Sequence, residues 1–534
     1  MESDMSDLSA TGQTFKQLQA QLSQRWQAIE STEQGNADIL VIPSVSLDQQ
    51  ELQKVEGFLH YEERLLFSLI RLRHPQTRLI YVTSVPLPPI VIDYYLQLLP
   101  GIPFSHARDR LLLLPLYDQS LKPLSQKILE RPRVMQRIRH ALRRDRAYMV
   151  CFNSTKLERD LSLRLDIPLL AADPTLLYWG TKSGSRQIFR DCGVPHPDGS
   201  ELVWTVADLV EAAVELWQRQ PQLQRMVIKL NEGFSGEGNA ILRLPDPATT
   251  TLISVEHRRD LIQSQLPQLA FEATTESWPH YQDRIPRLGA IVEAFIEGQQ
   301  KRSPSVQGWI TPHGKVEILS THDQILGGPN GQIYLGCRFP ADEAYRLDLQ
   351  TLGLKIGEHL ARKGALERFG VDFIANPHPL ASGQTEWELQ AIEINLRKGG
   401  TTHPFMTLKL LTNGTYDLSS GLFFGQQGLP KCYVASDNLC KVAYRGLMPT
   451  DLMDIIAQHH IHFDTGSETG SVFHLMGCLS EFGKVGLTSI GNTPEQADAI
   501  YRHVIDILDQ ETAHPISPGP DLPPRTPLPM SWSQ

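Results

Sequence analysis

The chain has 534 residues, with 50 basic and 60 acidic side chains, 41% hydrophobic and 21% charged residues. At roughly 150 residues per domain, that length suggests about three or four domains, each able to bury a core without metal or disulfide staples. Ordinary apolar and charged content excludes a wholly disordered or fibrous chain, and a net charge of −10 argues against a nucleic-acid partner, whose binding domain is normally basic.

Residues 1–36 form a polar segment rich in Gln and Ser, in which Thr14 to Ile29 reads as a solvated helix. It holds no apolar leader, and no later stretch reaches the ~20 apolar residues of a bilayer span. Cys151, Cys192, Cys337, Cys432, Cys440 and Cys478 are scattered without a C-x-x-C pair, so reduced thiols are expected. The expectation is a cytoplasmic protein with no membrane partner.

Asp38-Ile39-Leu40-Val41-Ile42-Pro43 is short, apolar and closed by proline, the pattern of a buried strand. A helical pattern runs from Asp48 to Arg73. Leu79–Thr83, Leu111–Leu116, Tyr148–Phe152 and Pro168–Ala171 continue the strands, with helical patterns at Ile90–Leu99, Leu124–Glu130 and Pro132–Arg143. This alternation predicts a parallel sheet covered on both faces, an α/β domain over residues 37–175. Residues 176–430 read as an α+β domain: helices Lys182–Cys192 and Val206–Gln218, then strands Met226–Leu230, Ala290–Ile296, Val306–Ile310, Val316–Leu319, Val371–Ile374 and Glu386–Asn395. Residues 431–511 form a smaller α+β unit with helices at Thr450–Gln458 and Pro494–Leu508. The Pro-rich tail, residues 512–534, has too little to bury and reads as disordered.

Three segments carry chemistry. Val227-Ile228-Lys229-Leu230 ends in Asn231-Glu232-Gly233-Phe234-Ser235-Gly236-Glu237-Gly238, a strand that delivers a lysine to a glycine-rich loop. Glycine permits close backbone approach, so successive N–H groups can wrap a phosphate. No Gly-Lys-Ser/Thr follows, so it is not a Walker A loop; a plain hairpin is the competing reading. In Ile392-Glu393-Ile394-Asn395, residues two apart on a strand share a face, and Asp372 on a neighbouring strand would add a third oxygen donor, a set suited to Mg²⁺. A solvated sheet face is the alternative there. Ala290-Ile291-Val292-Glu293-Ala294-Phe295-Ile296-Glu297-Gly298 is an apolar strand ending in glycine, where main-chain groups can read a base edge.

In this order and spacing the segments resemble the ATP-grasp enzymes, across residues 176–410. The tract Glu393-Ile394-Asn395-Leu396-Arg397-Lys398-Gly399-Gly400-Thr401-Thr402-His403-Pro404, with Tyr61-Glu62-Glu63-Arg64 and Phe473-His474-Leu475-Met476-Gly477 in the flanks, is similar to the pheganomycin-type ATP-grasp peptide ligases. The resemblance implies a pre-ATP-grasp-like N-terminal α/β domain, an ATP-grasp domain and a small C-terminal α+β domain. It implies that Lys182 and Lys229 contact the phosphates of ATP, and that Glu232, Gly233, Ser235, Gly236 and Gly238 belong to a loop folding over them. Glu293 would accept from the adenine amino group and Ile296, after Phe295, would donate to a ring nitrogen. The position that often supplies an acid to the ribose falls at Gln300. Asp372, Glu393 and Asn395 would hold Mg²⁺, or Mn²⁺, and Arg397 would orient the carboxylate being phosphorylated.

The activity implied is ADP-forming ligation of a small-molecule or peptide carboxylate to an amine through an acyl phosphate. An ATP-grasp phosphotransferase and a non-catalytic ATP-binding regulatory module stay open beside it, as does a homo-oligomer. Arg338 is a candidate contact for a substrate carboxylate. His403, read as a loop histidine before proline, is structural or substrate-contacting. His459, His460 and His462 read as exposed histidines rather than a metal site, and the arginines between 137 and 146 as a solvated face.

Overall fold

In the computed structural model, which describes residues 14–26, 35–46, 56–99, 101–232, 238–247, 254–273, 276–298, 300–328, 331–379 and 385–513, the apolar runs of the first third pair into one parallel five-stranded sheet. Its spatial order is Leu111–Pro115, Arg78–Thr83, Asp38–Ile42, Ala147–Cys151, Leu169–Leu170. Side chains alternate across a strand, and they do so here: Ile39, Val41, Leu79 and Tyr81 enter one core, while Leu40, Ile42, Ile80 and Val82 enter another on the opposite face. Both faces are therefore covered, as a parallel sheet requires.

The helix over residues 14–26 is not solvated as the sequence suggested. Phe15, Leu18, Leu22 and Trp26 fall on one stripe and are buried. Gln19 exchanges hydrogen bonds with the Leu169 backbone, Ser23 Oγ donates to the Pro312 carbonyl at 2.6 Å, and Trp26 packs edge-on against Trp309 at 5.3 Å. A few apolar residues at helical spacing outweigh the polar average of the segment. The first part of the next expected helix lies outside the described residues. Its remainder is the 3₁₀ helix Phe58–Arg73, which buries Glu62, Glu63 and Arg64 along with its leucines.

A small antiparallel sheet, in the order Ala270–Phe271, Asn239–Arg243, Arg225–Leu230, Ala290–Ala294, is backed by helices Val206–Arg219, Val255–Gln265 and Trp278–Leu288. A larger sheet begins with Thr385–Asn395, Glu367–Pro379, Pro304–Ile310, Val316–Gly327 and Ile333–Phe339. It does not stop at residue 430. Pro430–Cys440 pairs with Ile333–Phe339 on one side and with Lys484–Gly491 on the other, so the C-terminal unit continues the same sheet. Among the elements without a reading in the sequence are strand Ile333–Phe339 and helices Arg346–Arg362 and Thr402–Thr412. The six cysteines form no disulfide. Among the described residues no helix is long and apolar enough to cross a membrane. The Pro-rich tail from residue 514 onward lies outside the described residues, whereas 512 and 513 close helix Pro494–Ala513.

Candidate active site

Strands Glu367–Pro379 and Thr385–Asn395 pair so that Asp372 lies opposite Glu393 and Gly370 opposite Asn395. Ile394, between the two polar residues, is fully buried in the core behind, which turns Glu393 and Asn395 together toward a cavity of about 310 Å³. Asp372 accepts from Gln324 Nε2 at 2.5 Å and from Asn395 Nδ2 at 2.9 Å. Burial and the facing Glu393 carboxylate push its pKa up to about 7. Lys182 Nζ donates to Glu393 Oε1 at 2.9 Å. An all-oxygen donor set with two opposed, poorly solvated carboxylates fits a hard divalent cation, which would relieve the repulsion between them.

The two lysines come together through Asn231 at the end of strand Arg225–Leu230. Its carbonyl accepts from the Lys182 N–H and its Oδ1 from the Ser183 N–H at 2.9 Å, fixing the start of helix Lys182–Cys192 beside the Lys229 strand. Lys229 Nζ lies 2.5 Å from Glu293 Oε2, and Arg186 Nη1 donates to Oε1 of the same carboxylate at 2.8 Å. Burial alone would raise the Glu293 carboxyl; Lys229 and Arg186 outweigh it and hold it below its ordinary range. Glu293 lines the same cavity with both cations on its carboxylate.

Phe295 lies between the Arg225 guanidinium and the Lys301 ammonium, 3.9 and 4.0 Å from its ring centroid, and Lys301 Nζ donates to the Ile296 carbonyl at 3.1 Å. Gln300 is exposed and does not line the cavity; Lys301 and Ser303 do. Of the glycine-rich loop, Gly233, Ser235 and Gly236 lie outside the described residues. Glu232 is exposed at one end, and at the other the Gly238 carbonyl accepts from Tyr281 Oη at 2.9 Å.

Arg397 lines the cavity beside the carboxylates. Burial lowers its pKa, the charges of Glu393 and Asp372 oppose that, and the like charge of Arg64 adds to it. Beyond it Arg64 ion-pairs with Asp437, whose Oδ1 lies 2.9 Å from both His403 Nε2 and His474 Nε2. Burial would raise the Asp437 carboxyl, but Arg64 first and His403 next hold it well below the usual range; burial pushes His474 down to about 4. His403 is not in a loop but in the first turn of a buried helix, one step behind the cavity wall. Arg338 is not part of the site: it is half-exposed and pairs with Asp498 on the last helix at 2.9 Å. His459 pairs with Glu511 at 2.8 Å, outside the cavity.

Sequence reasoning missed Arg186, Gln324, Lys301, Arg64 and Asp437 as site residues. Arg186 was one turn beyond Lys182 on the same helix, a spacing that puts both on one face. Asp437 had no local signal, because strand Pro430–Cys440 reads as any other until its neighbour is known.

Comparison with known proteins agrees with this geometry. A family model described as IQCH-like, ATP-grasp matches residues 175–259 and 251–419, and a PGM1 C-terminal domain model matches residues 451–504. The chain is 30% identical over 482 residues to the L-propargylglycine–L-glutamate ligase of Streptantibioticus cattleyicolor, covering 88% of this chain and 94% of that protein. It is 23% identical over 556 residues to IQ motif-containing protein H of Danio rerio, covering 95% of this chain and 51% of that longer protein. Among solved structures, the biotin carboxylase domain of a thermophilic 2-oxoglutarate carboxylase superposes with a TM-score of 0.51 at 12% identity, covering 88% of this chain and 89% of that one. Biotin carboxylase from Campylobacter jejuni gives 0.50 at 11% identity, covering 90% and 95%. At such identities the structural likeness concerns the fold.

Proposed function

From the premise that the chain belongs to the ATP-grasp family and is an ATP-dependent carboxylate–amine ligase, we propose that it joins amino acids or small peptides through an acyl phosphate, releasing ADP and phosphate. The observation that carries this reading is the meeting of Lys182, Lys229, Asp372, Glu393, Asn395 and Arg397, which come from one helix, three strands and the loop after the last of them, in and against one cavity. The relative that acts on L-propargylglycine and L-glutamate supports amino acids as the substrate class.

Phosphorylating a carboxylate brings two anions together, and catalysis of such a transfer is chiefly positioning and charge stabilisation. Lys229 and Lys182 draw the triphosphate toward the end of strand Arg225–Leu230. Their partners, Glu293 and Glu393, hold both ammonium groups in place. Main chain around Ile296 reads the base, and Phe295 packs against it. Asp372, Glu393 and Asn395 would hold Mg²⁺, or Mn²⁺ in its place, which would supply positive charge against the phosphates. Arg397 holds the substrate carboxylate so that one oxygen faces the γ-phosphorus. The oxygen–phosphorus bond forms as the bond to ADP breaks. The amine then attacks the acyl carbon, phosphate leaves, and the nitrogen gives up a proton. No protein nucleophile is needed. Water must be kept from the acyl phosphate until the amine attacks. We place the reaction in the cytoplasm.

The test is incubation of the purified protein with ATP, Mg²⁺ and pairwise mixtures of amino acids and short peptides. ADP release that requires both partners, with an amide product by mass spectrometry and a hydroxamate when hydroxylamine replaces the amine, is the expected result. ADP release that needs a carboxylate but no amine, and yields a stable phosphorylated product, would move the assignment to a phosphotransferase.

A further inference from the structure

The cavity contains a further cation, Arg64, that the proposed reaction leaves without a role. Arg64 comes from the N-terminal half, on the 3₁₀ helix Phe58–Arg73, and lines the same cavity as Arg397. It is 9% exposed, its guanidinium carbon stands 4.0 Å over the Tyr61 ring and 5.8 Å from the Phe152 ring, and it ion-pairs with Asp437. Asp437 Oδ1 is hydrogen-bonded to His474 Nε2 at 2.9 Å and has His403 Nε2 at the same distance, so that oxygen is already engaged away from the guanidinium. Arg64 Nε meets no acceptor among the described residues. Nε is closed off, so what faces the cavity is the rest of the guanidinium, whose one hydrogen bond among the described residues runs from Nη2 to Asp437; donors left over in a polar cavity suit a ligand acceptor.

Resting on the ligase reading, we infer that Arg64 binds the free carboxylate of the amine substrate, so that the N-terminal half selects an α-amino acid or a peptide with an unblocked carboxyl group. Arg397 lies beside Asp372 and Glu393, where the reacting carboxylate must sit. A second guanidinium lining the same cavity serves a second anion. The planar guanidinium suits a carboxylate, and an ammonium at the same place would lack the fork. Tyr61 and Phe152 hold its plane, and Asp437 is the positioning residue that sets its direction. A primary amide in place of the carboxylate would bring an N–H group toward Arg64 and lose the charge, which is the basis of discrimination.

The experiment is thermal denaturation of the full chain with MgATP, followed by addition of L-glutamate, L-alanine or L-alanyl-L-alanine, and of the α-amide or C-terminal amide of each. In the wild type at least one carboxylate probe is expected to raise the melting temperature beyond MgATP alone, with the matching amide giving no such rise. In Arg64→Gln the MgATP shift remains and the carboxylate-specific shift is lost; Arg64→Lys gives a smaller shift than wild type. For whichever pair turns over, kcat/KM for the carboxylate is expected to fall about a hundredfold in Arg64→Gln, mainly through KM, while that for the amide holds within about threefold. A carboxylate shift that survives Arg64→Gln, equal loss on carboxylate and amide, or no carboxylate preference in the wild type overturns the proposal. An absent MgATP shift in the wild type overturns the ligase reading itself. Should Arg64→Gln not fold, Arg64→Lys decides: an undiminished carboxylate preference there rejects the fork.

Discussion

Lys182 and Glu393, 211 residues apart, meet at 2.9 Å. That contact ties helix Lys182–Cys192 to the strand carrying the proposed metal ligands.

Glu393→Gln removes one of the two opposed carboxylates and the partner of Lys182. Turnover is expected to fall by about 10²–10³-fold, the usual effect of deleting one group that stabilises developing charge. Free ATP should still bind, while the extra stabilisation given by adding Mg²⁺ to ATP should disappear from thermal denaturation curves. Retention of that Mg²⁺-dependent increment would remove Glu393 from the metal site.

Lys229→Met leaves the buried Glu293 carboxylate with Arg186 as its partner. A loss of about 2 kcal/mol is expected from breaking one charge-assisted contact to a buried group, together with weaker ATP binding by calorimetry. Unchanged ATP affinity would place the phosphates elsewhere.

Arg338→Ala tests the opposite claim. A half-exposed ion pair with Asp498 contributes about 0–1 kcal/mol, and the residue does not line the cavity. Stability and kcat/KM are both expected to remain near wild type, kcat/KM within about twofold; a selective rise in KM would restore Arg338 to the substrate site.

Phe15→Ala tests the N-terminal helix. Phe15 is 1% exposed, and truncating so buried a ring costs about 3–5 kcal/mol. Urea denaturation measures it. A change within about 0.5 kcal/mol, the usual range for surface substitutions, would mean that this helix is not docked in solution.

Burial raises the Glu62 carboxyl from its ordinary 4.5 to about 7, against the opposing hydrogen bonds from Ser84. Between those values the folded chain keeps a proton that the unfolded chain has released. The stabilisation tied to this group is therefore complete below 4.5 and is lost as pH rises through about 7, a swing on the order of 3 kcal/mol. Glu62→Gln should flatten the stability profile across that window, and equal slopes in wild type and variant would show that Glu62 ionises normally.

Much of the architecture was legible in the chain because it depends on local pattern. Asp38–Ile42 and its parallel neighbours are short apolar runs, and helix Lys182–Cys192 opens after Thr181 and closes at Gly193, which takes a left-handed conformation there. Glu393 and Asn395 shared a face by strand periodicity alone, and the glycine-rich loop after Lys229 was visible as composition. The commitment of Glu293 to Lys229 and Arg186 was not legible, since Arg186 and Glu293 lie 107 residues apart and spacing says nothing about such a pair. Arg338 misled for the same reason, because which way a strand residue faces depends on its neighbours in the sheet.

The sequence by itself determined the kinds of element, the order of the chemical groups along the chain and the family to which they belong, because periodicity, turn residues and motif spacing act over a few residues at a time. Only the tertiary structure decided which charges neutralise one another and which remain for a ligand. Arg64, His403, Asp437 and His474 become one cluster because a 3₁₀ helix of the N-terminal half, a helix after the proposed metal strand and two strands of the continued sheet converge there. Coulomb energy depends on separation and burial in space, and neither is written in the distance along the chain.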